Sequence, residues 1–342
     1  FLLFQENAFS LAKCFYFINF YKIKNYIKYI VKKSYRDELD RIQRESTIEK
    51  LNDIQGKAKE DILILRRLNK KVGTFSDYIV FLKSIEYAIE TGKLPIIDRM
   101  TIKNDFMPAP ENINTWELFF EQPKGYGLDD IDYTSMNVSV CNNGGGMYPV
   151  SIMRCNDEKV ISYWRGIARE YIRLNENMKK YVEEKYKELL AQKKVLGVSI
   201  REGYQKLAEI KPQGIWGHSI QTPVTQLISD VKKYMEEWDV NTVFFTCQTN
   251  ETVKAFFDSF GEKACCLDRD RVDYKDMLDG EERISKLPYE KAFANEKDYI
   301  TEIYLLSKCN CFICSENSGS EAAFIMSAGF EHFLCYENGI YR

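Results

Sequence analysis

The chain has 342 residues, a formal net charge of −3 and a hydrophobic share of 45%. That length allows two domains with sizeable cores, and so balanced a charge points to no nucleic-acid partner. Its ten cysteines show no CxxC…CxxC spacing, which argues against a zinc ribbon or disulfide framework and fits free thiols in a reducing, cytoplasmic setting.

The chain opens on Phe1 rather than Met, which leaves its natural start open. Phe1–Lys33 mixes aromatics with Lys22, Lys24, Lys28, Lys32 and Lys33. Its apolar runs fall short of the ~18 residues of a spanning helix, and it has no small-residue cleavage site. A helix packed against the domain is favoured over one lying on the inner face of a membrane, because no clean amphipathic stripe emerges. Ser34–Glu60 is densely charged with mixed signs and reads as an exposed helix or helical hairpin. Residues 1–60 are therefore expected to form a helical N-terminal segment.

Asp61–Arg66 reads as a first strand, and Phe75–Glu90 carries Tyr78, Ile79, Leu82, Ile85 and Ile89 at helical spacing. Gly92 ends that helix, and Leu94–Asp98 follows as a strand, which makes a βαβ unit and a parallel sheet. Asn114 or Thr115 is expected to cap a short helix whose Trp116, Phe119 and Phe120 cover the sheet. Cys141–Gly146 is a glycine cluster without GxGxxG spacing or a following lysine, and reads as a loop near a cleft. Glu158–Lys194 is expected to be one long helix, with a domain boundary near Gln192. This makes 61–192 an amino-terminal α/β domain and 193–342 a carboxyl-terminal Rossmann-like domain.

The second series is regular. Val195–Ile200 is a buried strand that stops abruptly at Arg201, leaving a guanidinium at the carboxyl end of a sheet, where α/β folds bind ligands. An irregular stretch through Lys211–Ser219 follows, then a helix over Thr222–Trp238 and the strand Thr242–Cys247. A helix Glu251–Phe260, a strand Lys263–Leu267 and a long polar loop to Asn295 come next. The helices Asp298–Ser307 and Ser318–Ser327 then flank the strand Cys311–Cys314, and the last strand is His332–Tyr336. An α/β fold of two Rossmann-like domains facing a central crevice is the expected architecture.

Gly197-Val-Ser-Ile-Arg201, Gly217-His218, a strand ending at Cys247, and Ile303–Ala323 with its Ser315-Glu-Asn-Ser-Gly-Ser320 core fall in one order. That order resembles the α1,6-/α1,2-/O-fucosyltransferase superfamily of GT-B glycosyltransferases, in particular bacterial members of surface-polysaccharide gene clusters. Gly92–Asp98 and Asn114–Pro123 resemble the amino-terminal domain of those proteins, so the resemblance implies a GT-B-like fold with 61–192 on the acceptor side and 193–342 as the nucleotide-sugar donor domain. The resemblance implies an inverting, metal-independent transfer from a GDP-sugar, usually GDP-fucose, to a hydroxyl of a glycan acceptor, with no further cofactor. It implies Arg201 on the donor β-phosphate, where a guanidinium fork suits the pyrophosphate and stabilises the leaving GDP. A structural ion pair with Glu202 or another nearby carboxylate is the competing role.

Ser318, Gly319 and Ser320 open a helix and suit a pyrophosphate, or they are an ordinary serine cap. Asp268 matches an aspartate that reads guanine in relatives; as part of Asp268-Arg-Asp270 it also mimics a metal motif, which its context argues against. His218 is placed to touch phosphate or acceptor and to carry a proton, or it is a structural turn histidine. His332 reads as structural, as do Cys309, Cys311 and Cys314 in and beside a buried strand. The chain departs from the family at Ser199, at Glu202-Gly203-Tyr204 and at Cys247-Gln248-Thr249-Asn250, each of which removes a carboxylate or imidazole. Glu202 is the available substitute as a catalytic base.

Two other readings stand beside an active transferase. One is a catalytically silent relative that binds nucleotide or glycan as a partner subunit. The other is a dinucleotide-dependent oxidoreductase, disfavoured because neither half has GxGxxG after its first strand.

Overall fold

A computed structural model describes residues 48–52, 58–143, 152–210, 215–277 and 287–342. Glu49–Arg342 forms one compact unit, and Phe1–Ile48 another, of which only Ile48 is described. The basic aromatic segment and most of the charged stretch before residue 60 therefore lie outside the described residues. Within that stretch, Ile48–Lys50 is a strand, β1, and not helix. Pairing overrides the local helical pattern: Leu51 N–H donates to the Val138 carbonyl at 2.8 Å, and the Asn52 side chain accepts from Val138 N at 2.6 Å.

The first sheet contains the expected βαβ unit, β2 (Glu60–Arg67), α1 (Thr74–Glu90) and β3 (Leu94–Asp98). β2 and β3 run parallel, with Ile64 opposite Ile96. A strand not anticipated, β4 (Met136–Asn143), lies parallel to β2 on its other side, and the order is β1-β4-β2-β3. Its signal was present, since Met136, Val138 and Val140 alternate into the core at the period of a strand. The glycine cluster thus begins inside β4 at Cys141, while residues 144–146 lie outside the described set.

Residues 114–120 form turns, not a capped helix. Asn114 is bound sideways to β3 and its end: its amide donates to the Ile97 carbonyl at 2.7 Å and accepts from Arg99 N at 3.1 Å. The aromatics do pack there, Trp116 stacking on Phe120 at 4.3 Å between ring centroids. The expected long helix is two, α2 (Glu158–Tyr171) and α3 (Glu176–Leu189). Asn175 breaks the periodic run by capping the second helix, accepting from Met178 N at 3.0 Å, as an N-cap side chain does. Leu174 meanwhile bridges Phe120.

The second sheet is wholly parallel, in the order β7-β6-β5-β8-β9. Its strands are β5 (Val195–Ser199), β6 (Thr242–Thr246), β7 (Ala264–Cys265), β8 (Cys311–Ser315) and β9 (His332–Tyr336). The helices are α4 (Glu202–Ile210), α5 (Val224–Glu237), α6 (Asn250–Phe260), α7 (Tyr289–Leu306) and α8 (Ser318–Met326). Three elements differ from expectation: α4 occupies a stretch read as irregular, β7 shrinks to two residues at a sheet edge, and α7 starts nine residues early, directly after Pro288. Proline before the first turn is compatible with helix entry because its missing N–H would have had no partner.

β5 is central and fully buried. Gly197 is needed there, because a Cβ would stand 3.0 Å from Cys309 Sγ and 3.1 Å from Leu306. The packed strand-helix approach therefore admits no side chain at that point. With β6 and β7 to one side of β5, and β8 and β9 to the other, the chain reverses direction of travel between β5 and β8. That is a topological switch point, and its carboxyl edge is where this class of sheet binds ligands. No helix among the described residues is long and apolar enough to cross a membrane.

Candidate functional site

Arg201 follows β5 at the switch point, half-buried. Its guanidinium carbon lies 5.5 Å from the Tyr204 ring centroid, and the His218 ring lies 4.7 Å from the same ring. Among the described residues Arg201 has no ion-pair partner. The structural role that competed with ligand binding, a pair with Glu202, is therefore not the one the fold uses.

Glu202 is committed elsewhere. It is 2% exposed, and its carboxylate accepts from Gln248 N at 2.7 Å, Thr249 N at 3.1 Å, Thr252 Oγ1 at 2.5 Å and the Thr249 hydroxyl. It caps the amino-terminus of α6 from outside and fixes the β6–α6 turn against α4. A carboxylate with four donors on it is a brace, and the expectation of a catalytic base at this position is corrected.

Ser199, Arg201, Gln248, Arg269, Tyr299 and Asn317 line one small cleft at the carboxyl edge. Gln248 is oriented by Gly203 N, which donates to its side-chain oxygen at 2.8 Å. Across the cleft, α8 starts at Ser318 with Asn317, not a serine, as its N-cap. Asn317 accepts from Ser320 N at 3.0 Å, and Ser320 Oγ accepts from Asn317 N at 3.0 Å and donates to the Ser315 carbonyl at 2.8 Å. Ser320 is buried with its hydroxyl engaged inside the cap, so it holds the turn and presents no hydroxyl outward. Ser318 and Gly319 are the first two helical residues, whose N–H groups have no acceptor within a helix. The place is suited to an anion. Gly319 also has no room for a side chain, because a Cβ would stand 2.8 Å from the Tyr299 hydroxyl. Burial pushes that phenol up to about 12, so it stays a donor at neutral pH.

His218 is exposed in a turn set by Gly217 at φ 84°. Its partial burial against Tyr204 and the Arg201 charge both hold its pKa below the usual imidazole value. Asp268 faces solvent just after β7 and is not among the residues lining the cleft at Arg201. Among the described residues no group of three His, Cys, Asp or Glu could hold a metal ion. Cys309, Cys311 and Cys314 are buried thiols. His332 stacks on Trp238 at 5.1 Å.

Sequence reasoning missed Arg269, Arg271 and Glu302. Glu302 on α7 pairs with Arg269 at 2.9 Å and with Arg271 at 3.1 Å, and Arg269 donates to the Cys247 carbonyl at 2.9 Å. Burial works against the Arg269 charge, but the Glu302 carboxylate more than offsets it. The signal was a lone glutamate between the buried residues Ile300 and Ile303, where an unpaired charge would be prohibitive.

A second pair of carboxylates belongs to the same edge. Glu316 is bound by Arg154 and by the Ser219 hydroxyl, the latter at 3.2 Å. Burial, then the Glu316 charge, pushes Glu321 up to about 7, although Ile152 N–H donates to it. An unperturbed glutamate titrates near 4.5. Between those values the folded chain keeps a proton that the unfolded chain has lost, so stability falls as pH rises from about 4.5 through about 7. Glu321→Gln is expected to flatten that fall and to raise the melting temperature at pH 8 by a few degrees. Thermal melts at pH 5 and pH 8 check it, and a wild-type slope in the variant counts against the assignment.

No family model matches the sequence, and no curated protein matches it. Solved structures do. The NodZ α-1,6-fucosyltransferase of Bradyrhizobium, co-crystallized with GDP, has a TM-score of 0.50 at 13% identity, over 79% of this chain and 93% of its own. POFUT1 in complex with GDP covers 83% of this chain and 100% of its own, at 9% identity and a TM-score of 0.49. A mutant of Arabidopsis thaliana FUT1 in complex with GDP covers 90% and 75%, at 11% identity and a TM-score of 0.46. At such identities the likeness is one of architecture: the chain has the α/β fold of the GT-B fucosyltransferases.

Proposed function

We propose that the chain is a glycosyltransferase that takes a sugar, in the first instance fucose, from a GDP-sugar and passes it with inversion to a glycan hydroxyl. The observation that carries this reading is Arg201, a cation without an ion-pair partner among the described residues, at the switch point and across a cleft from the amino-terminus of α8. The guanidinium donates to the β-phosphate, and the Ser318 and Gly319 N–H groups and the Tyr299 hydroxyl surround the same group. As the glycosidic C–O bond breaks, negative charge grows on the departing GDP, and donors already fixed around it stabilise that charge without reorganising. This chemistry calls for no metal. Asp268, exposed in the loop after β7, is the proposed reader of the guanine edge, accepting from its N–H groups. The solved NodZ structure co-crystallized with GDP supports a GDP-type donor, and synthesis of a surface polysaccharide is the context we assign to the reaction.

A second reading is favoured by one observation. Glu202 is locked in a brace, so the residue best placed by sequence to activate an acceptor does not do so, and a nucleotide-binding partner subunit without turnover shares the rest of the site. Turnover of GDP-fucose on any acceptor separates the two.

A thermal-shift panel of GDP, ADP, UDP and NAD tests the donor assignment. Stabilisation by GDP above the others is expected. Equal response to all four, or none to GDP from a folded protein, overturns it, and selective response to NAD revives the oxidoreductase.

A further inference from the structure

Trp216 is 61% exposed, while Trp116 and Trp164 are buried and Trp238 stacks between Tyr234 and His332. An indole left in water forfeits the burial that its large apolar surface normally gains. Its backbone is nevertheless firmly held. Ile215 before it is buried, and His218 N–H donates back to the Ile215 carbonyl at 3.0 Å. Gly217 N–H donates to Tyr341 O, and Tyr341 N–H to His218 O, both at 2.9 Å, while Ser219 bridges Ile340. The turn is pinned on both sides and offers the ring outward.

Its place in the fold gives the ring a use. Two residues on, His218 packs on Tyr204, and Tyr204 lies under Arg201. A chain of three side chains therefore leads from the turn that carries Trp216 to the cation assigned to the donor phosphate. The sugar leaves from the oxygen on that phosphate, so the acceptor must approach from the lip around Arg201.

We infer that Trp216 is a stacking platform for a pyranose ring of the acceptor, an inference that rests on the glycosyltransferase reading. The C–H bonds on one face of a pyranose carry slight positive charge and meet the negative face of an indole. The patch also has the right size. Its chain neighbours Gly217, His218 and Ser219 are polar or bare, and one indole, even with the exposed Ile340 that bridges Ser219, falls far short of the about 1,200–2,000 Å² of a stable protein interface. A rigid aromatic held ready loses little freedom on binding, which favours a weakly gripping ligand such as a sugar.

The test uses the full chain, fluorescently labelled, on an array of neutral, acidic and N-acetylated oligosaccharides with GDP present. Wild type, Trp216→Ala and Trp216→Phe are compared, with GDP affinity by calorimetry and melting temperature measured in parallel. The Ala variant is expected to lose roughly tenfold or more in glycan binding and the Phe variant less, with GDP affinity and melting temperature unchanged. Equal glycan binding by the Ala variant, or no glycan bound by wild type across the array, overturns the inference while GDP binding stands. Failure of wild type to bind GDP overturns the glycosyltransferase reading, and the inference with it.

Discussion

Arg201→Ala is expected to weaken GDP binding by about tenfold to a hundredfold, because hydrogen bonds to a charged group contribute about 1.5–3 kcal/mol. Arg201→Lys is expected to fall between, since an ammonium keeps the charge but loses the fork that engages two phosphate oxygens. Stability should hardly change. Arg201 has no ion-pair partner among the described residues, so what is lost is its packing on Tyr204 and its through-space attraction for the buried Glu296 carboxyl, without a direct pair. Calorimetric titration with GDP, GMP and inorganic pyrophosphate measures the effect. The loss should be large for GDP and pyrophosphate and small for GMP, since the β-phosphate is the group Arg201 is assigned to hold. An equal loss for GMP would move Arg201 to another part of the ligand, and no loss at all would remove it from the site. A drop in melting temperature large enough to explain weaker binding would instead restore a structural role.

The position of Arg201 was legible because it follows from periodicity. Val195–Ile200 is a mostly apolar run broken only by Ser199, and the residue that ends such a run in an α/β sheet stands at its carboxyl edge. The role of Glu202 was not legible in the same way. Its partners, Gln248, Thr249 and Thr252, are more than 40 positions along the chain, and nothing in the local sequence separates a carboxylate that caps a distant helix from one that faces a ligand. The serines after β8 show the same limit on a smaller scale. Ser315–Ser320 announced a strand-to-helix turn suited to an anion, yet which side chain caps and which backbone groups stay available depends on Asn317 adopting the extended cap conformation. The broken helix at Asn175 and the missed strand β4 are cases of a different kind. At Asn175 a cap residue sat inside a periodic run and the periodicity was given too much weight. At β4 an alternating run was passed over beside a conspicuous glycine cluster. Asn175 caps a helix and β4 belongs to the first sheet, so neither error touches the carboxyl edge of the second sheet, and the site survived them.

Glu302→Gln is expected to cost about 3–5 kcal/mol of folding stability, because removing one partner of a buried ion pair leaves the other charges uncompensated. Here one carboxylate serves two guanidiniums, with the Glu302 side chain 1% exposed and those of Arg269 and Arg271 13% and 4% exposed. Glutamine matches the shape and keeps an acceptor oxygen, so the loss measures charge and not volume. Urea denaturation reads it, and a change under about 1 kcal/mol would mean that water reaches the two arginines freely. The same substitution carries a functional consequence of opposite sign to a simple loss of fold. Arg269 lines the cleft with Arg201, and in the native chain Glu302 cancels part of the positive charge there. Removing it makes the cleft more cationic, so in the surviving folded fraction GDP should bind at least as tightly as in wild type, with a steeper dependence on salt. A variant that is markedly less stable but undiminished in GDP affinity would separate the two arginine sets by role. Arg269 and Arg271 would then belong to the wall of the site, paired so that the sheet edge can fold at all. Arg201, which no carboxylate among the described residues neutralises by direct pairing, would be left as the group whose charge is available to a ligand.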